Sequence, residues 1–153
     1  MPIQCDIVTQ ERSVYSGEVD YVSLPGSEGR MGILPNHSAM LTALSFGEVM
    51  VRARGEEQFF AVGGGFAEIQ PDKIIVLADS AEHAEEIDVE RAEAARQRAE
   101  KAMREGVPAD PVRYEQIEAA LRRAQVRIDV SMRRARQRRH RTMPTALGSS
   151  DEE

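Results

Sequence analysis

The chain has 153 residues, with 20 Lys plus Arg against 26 Asp plus Glu, a net charge of −6, one Cys and no Trp. At 41% apolar and 30% charged it can bury the core of one ordinary domain or two small ones, and no apolar run approaches the ~18 residues that a membrane helix needs. One cysteine cannot close an internal disulfide, and Met-Pro-Ile-Gln lacks the basic and apolar stretches of a secretory signal, so a soluble, cytosolic chain is expected.

Up to residue 86 the chain reads as β. Short β-branched and apolar runs, cut by turn residues about every ten positions, predict strands at 3–9, 12–15, 18–24, 30–33, 39–44, 47–54, 57–62, 65–70 and 73–77. Pro25-Gly26, Arg54-Gly55 and Pro71-Asp72 are the turn dipeptides between them. Cys5 alternates with Ile3 and Ile7 and is expected to be a small buried apolar residue. Gly63-Gly64-Gly65 could cradle a phosphate, but no Lys-Ser or Lys-Thr follows, so a bulge or close backbone approach is the expectation.

At residue 87 the chemistry changes. Residues 1–86 hold 14 acids and 5 bases, a balance of −9, whereas residues 87–148 hold 9 acids and 15 bases, a balance of +6. Asp88 can cap a helix that runs to about Glu105 and stops at Gly106 and Pro108, with Ala92, Ala95, Ala99 and Ala102 as a flat inward stripe. Asp110-Pro111 opens a second helix, with Tyr114, Ile117, Leu121, Ala124, Ile128, Met132 and Ala135 recurring every three or four residues. The short linker predicts an antiparallel hairpin. An Ala seam buries little area, so the hairpin should be marginal by itself and lean on the β segment, a ligand or a partner.

No nucleophile elbow, metal-spaced Cys/His set or P-loop is present, and His37, His83 and His140 lie far apart, so no catalytic or metal site is expected. His37 reads as a hydrogen-bonded loop residue. Two constellations stand out. Glu82 and the run Ile87, Asp88, Arg91, Ala92 fall near Arg98, Arg123 and Arg127, and helical spacing lets the Arg faces meet across the hairpin seam. They are either solvated Arg paired with neighbouring Glu or a site for an anion such as phosphate. The second is the run Arg133, Arg134, Arg136, Arg138, Arg139 and Arg141, expected to be a fraying basic end. Its partner must be acidic, another protein or nucleic acid; the absence of interleaved aromatics argues against nucleic acid.

Three motifs, in order and at matching separations, carry a resemblance. They are Gly29-Arg30-Met31-Gly32-Ile33-Leu34-Pro35-Asn36-His37, then Phe60-Ala61-Val62-Gly63-Gly64-Gly65-Phe66-Ala67-Glu68-Ile69-Gln70-Pro71-Asp72-Lys73, then Val76-Leu77-Ala78-Asp79. Over residues 3–139 the chain resembles the epsilon subunit of the bacterial F-type ATP synthase. The resemblance implies an all-β N-terminal sandwich, flattened and of about ten strands, followed by a C-terminal antiparallel two-helix hairpin. The domains are then residues 1–86 and 87–141, while 142–153, with Pro144 and Gly148, departs from the family pattern and is expected to be a disordered acidic tail.

The resemblance also implies a non-catalytic rotor-stalk subunit, peripheral at the cytoplasmic face of the bacterial cell membrane and touching the membrane only through the complex. Gamma and the c-ring would be partners of the sandwich, with Met31, His37 and Ser38 in the part nearest them. In the hairpin's extended state, Arg133, Arg134, Arg136, Arg138 and Arg139 would meet an acidic segment of a catalytic beta subunit and inhibit ATP hydrolysis. No cofactor is required, but Ile87-Asp88-Val89-Glu90-Arg91-Ala92 matches the motif by which some members bind ATP as a regulatory ligand, with Glu82, Arg98, Arg123 and Arg127 as its other contacts. The competing reading is a free-standing nucleotide or nucleic-acid binding module built on the Arg-rich helices.

Overall fold

The computed structural model of the chain describes residues 1–106 and 109–142. Eight strands, β1 (Ile3–Val8), β2 (Ser13–Val19), β3 (Tyr21–Gly26), β4 (Gly29–Ile33), β5 (Met40–Ala53), β6 (Glu56–Ile69), β7 (Lys73–Ala78) and β8 (Ala81–His83), precede a 3-10 turn (Ala84–Glu86) and helices α1 (Val89–Arg104) and α2 (Pro111–Thr142). The strand order is β2-β1-β7-β6-β5-β3-β4, with β8 added on β6. Among the described residues only β1 and β7 pair in parallel.

The sheet makes a sandwich because β5 and β6 serve both layers. The C-terminal half of β6 pairs with β7, and its N-terminal half pairs with β8. The runs expected at 39–44 and 47–54 are therefore one strand, as are 57–62 and 65–70. Counting the two long strands once in each layer raises the eight to ten. The break that the sequence suggested is a corner, at which the ladder continues from Leu44↔Gly65 to Phe46↔Gly63. Gly64 and Gly65 take φ of 86° and 113° there. A Cβ on Gly63 would lie 2.3 Å from Ser80 Oγ, and one on Gly65 2.0 Å from the Leu77 carbonyl oxygen, so the corner demands glycine on sterics.

Other differences are local. The run expected at 18–24 is divided, with Val19 ending β2 and Tyr21 opening β3. Pro25-Gly26 is not a turn but the end of β3, placed where the pairing with β5 is irregular and the missing N–H of Pro25 costs no ladder bond. β8 has only three residues, too few for a pattern to show. Arg54-Gly55, with φ of 52° and 77°, does form the tight β5–β6 turn.

Ile3, Cys5 and Ile7 of β1, Val22 and Leu24 of β3, Val49 and Val51 of β5, and Phe60 and Val62 of β6 fill the space between the layers. Burial pushes the Cys5 thiol up to about 12, so it stays protonated. Outside the layers, Met50, Phe59 and Ala61 form a second apolar seat with Ala84, Ile87 and Val130. This seat carries the hairpin. Asp88 accepts from the Arg91 N–H at 3.1 Å as the α1 cap, and Ala92 and Ala99 are buried against α2, where Ala124 and Ile128 are buried. Met132 and Ala135 are not inward: Met132 is 53% exposed, because α1 begins at Val89 and offers no cover beyond that level. Past it, α2 turns a different face, Val126 and Val130, onto the sandwich. Neither does the basic end fray, since α2 is helical through Thr142. Pro108 and the tail from residue 143 lie outside the described residues.

Gly65→Ala should lower stability by about 3 kcal/mol in a urea melt, and Gly55→Ala, where nothing lies within 4 Å of a Cβ, by about 1 kcal/mol. Equal losses would show that the corner is not sterically tight. Asp6 gives a pH-dependent counterpart. Ser16 Oγ donates to it at 2.6 Å and Gln4 Nε2 at 3.0 Å, and these bonds hold its carboxyl below its ordinary value. That contribution is complete above about pH 4, the unfolded value, and is lost as pH falls through the lower folded value. Ser16→Ala should accordingly be less stable than the parent at pH 7, with the gap closing on acidification below pH 4; a gap unchanged to pH 2 would contradict it.

Candidate functional site

The junction between sandwich and hairpin gathers Glu82, His83, Arg123 and Arg127, all singled out in the sequence. Its backbone is fixed by His83, whose Nδ1 accepts from the Glu85 N–H at 3.0 Å. The ring proton therefore sits on Nε2, which donates to Gln58 Oε1 at 3.1 Å. Phe60 meets the same ring edge-on at 4.9 Å. With β8 and the 3-10 turn so held, Glu82 faces α2, and Arg127 grips it with two bonds of 2.8 and 3.1 Å.

Arg123 and Arg127 stand in the wall between two clefts. One, of about 460 Å³, lies toward the sandwich and is also lined by Arg12, Glu82, Glu86 and Ser80. The other, of about 490 Å³, lies between the helices and is lined by Ala95, Arg98, Ala99 and Ala102 of α1. The structure thus brings Arg98, Arg123 and Arg127 together as the helical spacing suggested, and the Ala stripe leaves the room between them. Arg98 and Arg123 make no ion pair among the described residues, whereas Arg127 has a carboxylate. Ile87 and Ala92 are buried beneath the site. Arg91 is exposed and lines neither cleft; what it contributes is its backbone N–H to Asp88.

Two participants had no sequence signal. Arg12, in the β1–β2 connection, holds Glu86 with bonds of 2.6 and 3.1 Å, and this pairing keeps the Glu86 carboxyl below the usual carboxylate range. The partners are 74 residues apart, beyond any periodicity. Arg113 completes the helical cleft from the first turn of α2.

The basic end of α2 is divided by the helix. Arg133 lies 3.5 Å from Glu48 and over the Phe59 ring, Arg134 meets Glu85 at 2.9 Å, and Arg141 meets Glu56 at 3.1 Å. Arg138 lines a small cleft beside His83. Arg136 and Arg139 are exposed and make no ion pair among the described residues.

On the opposite side of the sandwich the tip loop holds His37, which donates from Nδ1 to the Ser38 carbonyl at 2.7 Å. Ser38 is exposed, while Met31 is half-buried against the core. Near it runs an uncovered apolar stripe. Phe66 stands opposite both Ala43 and Leu77, and Leu41, Phe66 and Leu77 are 69%, 54% and 52% exposed. Among the described residues no group of three or more His, Cys, Asp or Glu could hold a metal, and no helix is long and apolar enough to cross a membrane.

Two family models match this architecture, "ATP synthase, Delta/Epsilon chain, beta-sandwich domain" over residues 2–84 and "ATP synthase, Delta/Epsilon chain, long alpha-helix domain" over residues 85–132. An ATP synthase epsilon chain of Dehalococcoides mccartyi is 50% identical over 132 residues, covering 86% of this chain and 94% of that one. One of Herpetosiphon aurantiacus is 50% identical over 138 residues, covering 90% and 100%. A chain of the Euglena gracilis mitochondrial ATP synthase has the same fold, with a TM-score of 0.72 at 23% identity over 88% of this chain and 81% of that one. Matched in both its parts and along nearly the full length of these relatives, the chain belongs to the ATP synthase delta/epsilon chain family.

Proposed function

We propose that the chain is the non-catalytic stalk adaptor of an F-type proton-translocating ATP synthase, seated between gamma and the c-ring on the cytoplasmic face of the cell membrane. The observation that carries this reading is the stripe of Leu41, Phe66 and Leu77, three large apolar side chains that the chain's own hairpin leaves in water. A contiguous exposed apolar patch on an otherwise charged protein is the mark of a docking surface. The Euglena chain of like fold comes from an assembly of OSCP, F1 and c-ring, which supports the same placement. Met31 of β4 and the loop residues His37 and Ser38, with Leu34 exposed beside them, would face the ring in this arrangement.

The regulatory part of the reading concerns the hairpin. Folded on the sandwich it presents Arg98, Arg123 and Arg127 around a cleft wide enough for a triphosphate, with Glu82 beside them. ATP would select this folded state by differential affinity. In the extended state the basic end of α2 would meet an acidic segment of a catalytic beta subunit and block hydrolysis.

Phe66→Glu combined with Leu77→Glu should weaken the complex with gamma by about a hundredfold or more in a pull-down titration, with the thermal melt unchanged. Retention of full affinity would remove the stripe as the docking surface. In calorimetry, ATP should bind the full chain, and Arg123→Ala or Arg127→Ala should lower its affinity at least about tenfold. No heat at millimolar ATP, or equal binding by parent and variants, would sink the nucleotide reading while leaving the stalk reading intact.

A further inference from the structure

We propose that the acidic face of the sandwich is the first partner of the Arg-rich arm, forming an electrostatic clasp that holds the distal third of α2 down and must be displaced before the arm can reach any other acidic surface. The face of α2 turned to the sandwich carries Val126, Val130, then Arg133 and Arg134, Gln137 and Arg141, at spacings of three or four. Val130 is the last apolar residue of that series. Beyond it three turns of helix, about 18 Å, continue along the sandwich with no hydrophobic anchor of their own.

What holds them is charge. Arg133 reaches Glu48 on β5 at 3.5 Å, Arg134 reaches Glu85 in the 3-10 turn at 2.9 Å, and Arg141 reaches Glu56 on β6 at 3.1 Å. Each arginine finds its acid on a different element, which a random scatter of surface charge would not arrange along one helical face. Glu48 is only 14% exposed and is also gripped by Arg30 at 3.3 Å, so its carboxylate is prepositioned for the arm. The guanidinium of Arg133 lies over the Phe59 ring as well, at 5.6 Å, which fixes its direction. The division of charge into −9 and +6 segments has a use within the chain itself.

An exposed ion pair shifts an equilibrium by a factor of about two to five, and salt screens it. Three in series therefore make a clasp strong enough to favour the docked arm and weak enough to exchange for a denser acidic surface. The pair of Arg127 with Glu82 belongs to the nucleotide cleft and is left out of the test, so that failure of the nucleotide reading has no bearing on this one.

The test is amide hydrogen exchange on the full chain at pH 7, at about 20 mM and about 500 mM NaCl. Amides of residues 133–142 should exchange at least about fivefold faster at high salt, with β1 and β6 unchanged. The triple variant Arg133→Gln, Arg134→Gln, Arg141→Gln keeps helix-forming side chains and should exchange fast at both salt concentrations. Glu85→Arg should loosen the same segment at low salt, and adding Arg134→Glu should restore protection. Salt-insensitive exchange in the parent, a triple variant as protected as the parent, or a swapped pair that fails to restore protection would each overturn the clasp.

Discussion

Phe59 and Phe60 are consecutive on one strand and point to opposite sides, Phe60 into the space between the layers and Phe59 outward onto the seat of the hairpin. Period-two alternation forces this, and the rest of the molecule is built on it. Because β6 is apolar on both faces at this level, it can neither end a layer nor face water. One face is closed by β1, β3 and β7, and the other has to be closed by something that is not a strand. Val49 and Met50 of β5 repeat the arrangement opposite it. A slip of one residue in the β5–β6 register would exchange core for seat, so the long ladder and the glycine corner that bends it fix the position of the hairpin as well as the sandwich.

The seat is small. From α2 it takes Val126 and Val130, and from the connection Ala84 and Ile87. Full burial of a valine-sized side chain contributes about 1.5 to 3 kcal/mol, and the ordering of some fifty residues of hairpin opposes it. The Ala seam between α1 and α2 leaves a cleft between the helices and adds little buried area. A structure in which one domain rests on another by so few apolar contacts is one in which polar contacts of modest strength decide the balance. In a large hydrophobic interface the same ion pairs would be incidental.

The parts legible in the sequence are those that local spacing determines. Alternation gave the strands, the Ala and Ile/Leu series gave the hairpin, and Asp88 gave the helix start, since the cap bond spans three residues. The strand count was blurred because glycine at a corner and glycine at a turn have the same composition and differ only in whether the ladder continues. Pro25 was misleading for a related reason: its missing donor is harmless at an irregular stretch of β3. Met132 and Ala135 continue the seam pattern past the point where α1 can cover them, and a one-helix periodicity carries no information on where its partner stops. In the junction, the meeting of Arg98, Arg123 and Arg127 followed from helix geometry. The carboxylates that attend the basic residues did not, because Arg12 with Glu86 and Arg141 with Glu56 are separated by 74 and 85 residues.

Arg127 links the cleft to the segment that joins sandwich and hairpin. Its guanidinium is already satisfied by Glu82 with two bonds, in a site where both side chains are about three-quarters buried. Removing one partner from such a pair leaves the other charge poorly solvated, so an anion drawn to Arg123 and Arg127 cannot simply add to the site. It must exchange with the Glu82 carboxylate or share the guanidinium with it. Glu82 lies on β8, one residue before the His83 that fixes the turn into α1, and that turn carries Glu85 and Glu86, the partners of Arg134 and Arg12. Any exchange at Arg127 is therefore felt first by the short segment that joins sandwich to hairpin, where the acids for three arginines stand within five residues. An anion bound in the cleft, as proposed, would therefore act on the same five-residue segment that supplies Arg134 with its acid, with no need of a path through the core.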